Sequence, residues 1–476
     1  MKGIFYFPPN WSHSSPDVNI PSLMPYLQDF DITACDLNVQ YRIYQRGRDN
    51  LDKCLERIKS SQSEALLEKY DMIYNFLVSY KVRVEYILHD IEHFVNPEKY
   101  MLTSLYESEL QLFHKTAYEK DRDINLWETI TDVIETTDNK EENYYLDFYE
   151  NYFQEHSLDD VEIVLVFPAG IQQVVSTFTL CGYIKKNYPS VKIIVGGNPF
   201  TALINEIDQS WSILFEKLFD YILVYEGEYA LPDLLRCIAG GQDVDLVPNC
   251  IHMQNNKVVK NAVDSRIVDI ENSYLPDFGG YNLSSYNVPE IVLPYCMTRK
   301  CYEKKCGTCD KDYKCINGFR IKSVEKVIND LCTYKEKYHA KYIHLADEAI
   351  PSEVMEKICH VILERQLEIK WFTCIQESGQ YTKELYALMQ QAGVVFVSHS
   401  ADTSSQNEQT SFLSYFADTY IFEKEHLLFW LAEKQDLLTD TDMQREYMEK
   451  LAEYPQIRYW DDKDQVARFL SDELYV

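Results

Sequence analysis

The spacing of apolar positions changes several times along the chain, and the changes mark its parts. The first apolar stretch, GIFYFPP (Gly3 to Pro9), is a short run stopped by prolines, as a buried parallel strand is when it ends in a loop. A helix-like PSLMPYLQDF and a strand-like DITACDLN (Asp31 to Asn38) follow, giving one βαβ unit. From about residue 41 to 160 the apolar spacing turns helical, as in YDMIYNFLVSYKVRVEYILHDIEHF, and predicts a helical insertion with an exposed loop at ETTDNKEENYY. Strand–helix alternation then resumes with VEIVLVFPAG, VKIIVGGNP and FDYILVYEGEYALPDLLRCIAGG. That alternation predicts a parallel, doubly wound sheet. Ligands of such sheets sit beyond the carboxyl ends of the strands. Here those ends carry Pro168-Ala169-Gly170, Gly196-Gly197-Asn198 and Glu226-Gly227-Glu228. None is a GxGxxG, so the ordinary dinucleotide fingerprint is missing.

Residues 246–290 have little periodicity and read as a linker with a small hairpin at VPNCIHMQNNKVVKN. A second alternating series follows, with strands in EIVLPYC, AKYIHLADEAI, EIKWFTCIQ and VVFVSHS and helices between them. About four βα units result, with their carboxyl ends on one rim. The expected architecture is therefore α/β. It has a Rossmann-like domain over 1–245 carrying the insertion (about 41–160), a linker (246–290), a partial (β/α) barrel (291–405) and an acidic helical tail (406–476).

Composition narrows the function. A chain of 476 residues with 46% apolar content suits two or three compact domains. No apolar run approaches the roughly 18 residues of a membrane span, and the start does not read as a signal peptide, so a cytoplasmic protein is expected. The net charge of −30 argues against nucleic acid or anionic lipid as a general partner. Thirteen cysteines, an odd count, mean metal, catalysis or buried thiols more often than disulfides in that compartment. Five of them lie in LPYCMTRKCYEKKCGTCDKDYKC (Leu293 to Cys315). Cys301, Cys306 and Cys309 follow a strand with C-x4-C-x2-C spacing, which can present three thiolates to an iron–sulfur cube and leave one iron open. A zinc site completed by Cys296 or Cys315 fits the same thiols, and spacing alone does not choose.

In its order of motifs the sequence resembles the cobalamin-binding radical S-adenosylmethionine enzymes, most closely the branch that matures ribosomally made peptides. The resemblance spans residues 1 to about 405: FYFPPNW, DLN, a strand ending in Gly196-Gly197, the EGE turn, LPDFGGYNLSSY before VLP, the cysteine loop TRKCYEKKCGTCD, YIHLADEAI and FVSHSADTSSQ. It implies a cobalamin site at the first sheet's carboxyl edge, formed around Pro168, Ala169, Gly170, Gly196, Gly197, Asn198, Glu226, Gly227 and Glu228. It also implies a 4Fe–4S cluster on Cys301, Cys306 and Cys309, whose open iron takes S-adenosylmethionine. Asp347 and Glu348 are then expected at the methionyl end of that cofactor, and Ser398 and Ser400 at its ribose. No DxHxxG is present, so a histidine as lower cobalt ligand is not expected; His13, His344 and His399 read as structural. Thr308 and Lys300 depart from the family's cysteine loop, and Ser398-His399-Ser400 stands where the family has GLE. The function implied is a radical modification, such as C-methylation, of a peptide or small-molecule substrate. The alternative is a truncated, catalytically degenerate relative that binds a peptide or a protein partner.

Overall fold

The computed structural model describes residues 1–61, 64–94, 97–118, 129–300, 318–347, 350–376, 381–400 and 420–421. Among the described residues no helix is long and apolar enough to cross a membrane. The architecture is the α/β one expected from the strand–helix alternation.

Seven strands make the first sheet: β1 (Lys2–Phe7), β2 (Asp31–Asp36), β3 (Ile163–Val166), β4 (Lys192–Val195), β5 (Tyr221–Leu223), β6 (Cys250–Gln254) and β7 (Lys257–Lys260). Their order is β2-β1-β3-β4-β5-β6-β7, with the first five parallel and the last two antiparallel. β3 is buried on both faces. Ile163 and Leu165 share a core with Phe5, Phe7, Ile194 and Leu223, while Val164 and Val166 share another with Tyr6, Ile193 and Val195. Period-two alternation explains the split, and both faces are covered because crossovers lie on each side. β1 stops where Pro8 and Pro9 remove two successive donors from the ladder. The β6–β7 hairpin extends this sheet's edge, which moves residues 250–260 out of the linker and into the sheet.

The second sheet holds β8 (Val292–Tyr295), β11 (Tyr342–Leu345), β12 (Lys370–Gln376), β13 (Val394–Ser400) and the antiparallel edge strand β14 (Tyr420–Ile421). β8, β11, β12 and β13 lie side by side in chain order and parallel, the winding of a (β/α) barrel segment. A two-stranded ribbon of β9 (Thr298–Arg299) and β10 (Arg320–Ile321) interrupts the first crossover. Helices 324–338, 352–364 and 383–391 complete the crossovers; Ser323 and Thr382 cap two of them by accepting from the amides of Lys326 and Leu385. The helix-facing residues Leu293, Ile343, Trp371 and Val394 join the core of the first sheet. Val292, Phe372 and Val395, on the other face, pack with the helical insertion, whose main helices are 48–61, 64–89 and 97–118. Gly393, at φ +89°, turns into β13 so close to Ile369 that an added Cβ would stand 2.1 Å from its carbonyl oxygen.

The segment between the sheets is a strap. Tyr281 donates to Asp17 at 2.8 Å and Tyr286 to Asp36 at 2.6 Å, with all four side chains buried. Burial pushes the Asp17 carboxyl up to about 7 and that of Asp36 up to about 6, against the hydrogen bonds they accept. A carboxyl raised in the folded state favours its protonated form. Its contribution is present at low pH and is lost as pH climbs from about 4 through about 7. Over that window the native chain should therefore lose about 4 kcal/mol relative to Asp17→Asn. Parallel pH dependences of Tm for the two proteins would contradict this.

Candidate functional site

The carboxyl ends of β1 and β3 flank the point where the first sheet's strand order reverses, the usual ligand crevice of such sheets. Buried Gln173 staples its two sides together. It donates to the Pro8 carbonyl at 2.6 Å and accepts from the amides of Ala169 and Gly170 at 2.7 and 3.1 Å. Those two amides are thus already engaged within the protein. Pro168 is buried, whereas Ala169 and Gly170 are partly exposed beside Trp11 and the largely exposed Ile171. Gly197, at φ +92°, lies so near Pro168 that a Cβ would sit 2.3 Å from the Pro168 oxygen. A Cβ on Gly196 would meet Phe167 at 2.7 Å. Both glycines are required by the chain's own packing, and exposed Asn198 opens the short helix that follows. An added Cβ on Gly227 would meet Leu23 at 3.4 Å and Leu223 at 3.6 Å, both ordinary contacts.

The glutamates of the EGE turn have protein partners. Glu228, 4% exposed, accepts from Arg299 at 2.6 Å, and Glu226 pairs with Arg320. Arg299 and Arg320 face each other in the β9–β10 ribbon. Arg320 also donates to the Val268 carbonyl at 2.7 Å. Two ion pairs therefore latch the ribbon to the carboxyl end of β5. The corrin-edge role expected for these carboxylates competes with that latch.

The same ribbon closes the cysteine loop. β8 ends at Tyr295, the chain passes through Cys296 and buried Met297 into β9, and it returns through β10. Lys322 N donates to the Met297 carbonyl at 2.9 Å, and Glu271 accepts from Ser323 at 2.7 and 2.6 Å. Asp347, at the carboxyl end of neighbouring β11, holds the near foot. One carboxylate oxygen accepts from Met297 N at 2.9 Å, the other from Thr298 N at 2.8 Å and Thr298 Oγ1 at 2.6 Å. Burial raises its pKa, while these three bonds and Lys322 oppose the rise. Asp347, expected at the methionyl end of a cofactor, clamps the backbone just before the cysteines. Lys322 lies 4.3 Å from the Tyr295 ring, and burial pushes its ammonium down to about 8.

Cys301, Cys306, Cys309 and Glu348 lie outside the described residues. Ser398 and Ser400 stand at the carboxyl end of β13, in register with Cys374 and Gln376. Sequence reasoning missed Arg299, Arg320 and Gln173. The arginines carry no motif, but Gln173 stands three residues after Gly170 at a helix start, the spacing of a capping box.

No protein-family profile matches the chain, and no curated protein does. Solved structures do resemble it. The cobalamin-dependent S-adenosylmethionine radical enzyme OxsB, with aqua-cobalamin and S-adenosylmethionine bound, is 18% identical over 52% of this chain and 36% of its own, at a TM-score of 0.40. The radical S-adenosylmethionine methyltransferase TsrM from Kitasatospora setae, with tryptophan substrate and a SAM analog bound, is 14% identical, at a TM-score of 0.47. That match covers 91% of this chain and 66% of TsrM. A second TsrM structure, with cobalamin and a 4Fe–4S cluster bound, is 12% identical over 91% of this chain and 65% of its own, also at 0.47. The chain thus spans 36% of OxsB and 66% of TsrM.

Proposed function

We propose that the chain is a cobalamin-dependent radical S-adenosylmethionine protein. Its 4Fe–4S cluster sits on Cys301, Cys306 and Cys309, and it modifies a peptide or small molecule by C-methylation or a related radical reaction. One observation carries the reading: the loop bearing C-x4-C-x2-C leaves the carboxyl end of a parallel barrel strand, and its two feet are latched to the carboxyl edge of the first sheet. The two candidate cofactor edges therefore adjoin. The donor set fits a cluster with an open iron, because three thiols suffice. The open edge near Trp11, Ala169 and Ile171 fits a broad apolar ring. When bound, the cluster would supply the electron that cleaves S-adenosylmethionine, and the cobalamin a transferable methyl group. The chain's own residues then fix distance and exclude water: Asp347 and the two arginines hold the loop, and Gln173 holds the crevice.

The test is anaerobic reconstitution with iron and sulfide, reduction, and assay of 5′-deoxyadenosine formed from S-adenosylmethionine. Product together with about four irons per chain supports the reading. Ser398-His399-Ser400 favours a second reading, a degenerate relative that binds a partner. A cluster that forms but yields no product selects it, and zinc without iron overturns both.

A further inference from the structure

The β9–β10 ribbon is tied to both sheets. On the second sheet, Asp347 clamps Met297 and Thr298 at its near end. On the first, Arg299 and Arg320 pair with Glu228 and Glu226. The turn that carries these glutamates is held from its other side as well. Tyr225, which precedes Glu226, sits at φ +62°, a left-handed conformation that a residue with a Cβ adopts only under constraint. Its amide donates to Thr201 Oγ1 at 2.8 Å, and that hydroxyl donates to the Gly197 carbonyl at 3.3 Å. Asn249 Nδ2 adds a 3.3 Å bond to the Glu226 carbonyl. A continuous set of contacts therefore runs from the Gly196-Gly197 end of β4, through the EGE turn after β5, to both feet of the cysteine loop.

The two ends share the ordering of this turn. A left-handed tyrosine and two ion pairs between long side chains are unfavourable to order for one contact alone. Whichever group binds first, at the first sheet's edge or on the loop, orders the turn, and the second then meets it already ordered. The coupling is therefore positive, provided the carboxylates stay with their arginines. Glu228 is 4% exposed and lies 2.6 Å from Arg299, so turning it toward an incoming ligand would leave a buried carboxylate without its cation.

We infer that the cobalamin and iron–sulfur sites are thermodynamically linked through the ribbon, so that filling either one tightens binding at the other. The linkage rests on the cofactor reading proposed above, and its test reads binding rather than turnover. One coupling factor applies in both directions, because linkage is reciprocal.

Equilibrium dialysis of the full chain against hydroxocobalamin, counting cobalt, compares metal-free protein with protein reconstituted anaerobically with iron and sulfide. The cluster-loaded form should bind cobalamin about fivefold more tightly or better, the lower end of usual coupling. Amide hydrogen exchange across residues 224–228 should slow when the cluster alone is loaded. Replacing both carboxylates, Glu226→Gln with Glu228→Gln, should bring the ratio of the two affinities close to one. Should that protein fail to fold, Glu226→Gln alone should lower the ratio, since Glu226 is partly exposed and its loss is tolerated. A merely structural role would weaken both affinities and leave their ratio unchanged, and that result overturns the linkage. Equal affinity of the two native forms overturns it too, while leaving the functional reading in place. Weaker cobalamin binding with the cluster loaded overturns it as well, and would mean that the carboxylates are given up to the ligand. Cobalt bound by neither form, or no iron taken up, overturns the linkage and the cofactor reading together.

Discussion

Replacing Cys306 with alanine should remove the iron–sulfur cluster and, with it, all S-adenosylmethionine cleavage. A cube with one open iron needs three protein thiolates, so losing one leaves two irons exposed and the cluster prone to disassembly. After anaerobic reconstitution the variant should be nearly colourless, and 5′-deoxyadenosine should fall to the level without protein. Cys301→Ala and Cys309→Ala should behave alike. Cys315→Ala should retain iron, because Cys315 stands outside the C-x4-C-x2-C triplet. Cys296→Ala should too: the Cys296 thiol lies 3.7 Å from the Ala346 carbonyl, facing β11. If Cys315→Ala or Cys296→Ala lost the metal as completely as Cys306→Ala, four thiolates would be involved, and a closed tetrahedral zinc site would replace the cluster.

Much of the fold is legible in the sequence because short apolar runs and helical spacing are local signals. GIFYF, EIVLVF and KIIV name the strands that β1, β3 and β4 become. The hairpin is legible too, since Asn255 and Asn256 both take positive φ, as a two-residue hairpin turn asks. Its pairing with β5 is not, because edge pairing depends on residues far away in sequence. The same limit governs the site. The sequence offers Glu226 and Glu228 as cobalamin contacts through the EGE turn, but their ion pairs with Arg320 and Arg299 show only in the fold. The strap residues Tyr281 and Tyr286 lie in a stretch without periodicity, yet they bind carboxylates more than 200 residues earlier. His13 lacks ligand spacing and reads as structural; only the fold shows it buried beside two arginines. Local patterns name the elements. Side-chain partners that set the chemistry come from the tertiary fold.

Asp347→Ala should be the most damaging single change outside the cysteines. The native carboxylate is 4% exposed and takes three hydrogen bonds from Met297 and Thr298. Alanine would leave two backbone amides and one hydroxyl buried without acceptors, a loss of about 3 kcal/mol. Because the freed backbone leads directly to Cys301, the variant should also bind iron poorly although it removes no proposed ligand. Thr298→Val, which deletes only the hydroxyl donor, should cost about 1 kcal/mol and keep the cluster. Denaturant unfolding of the proteins without metal measures the first effect, and iron content after reconstitution the second. The two readings of Asp347 part here. A clamp predicts that stability falls even without cofactors, whereas a residue that only grips S-adenosylmethionine predicts normal stability and normal iron with weakened cofactor affinity. The latter result would return Asp347 to the cofactor site and leave the ribbon's arginines as the main hold on the cysteine loop.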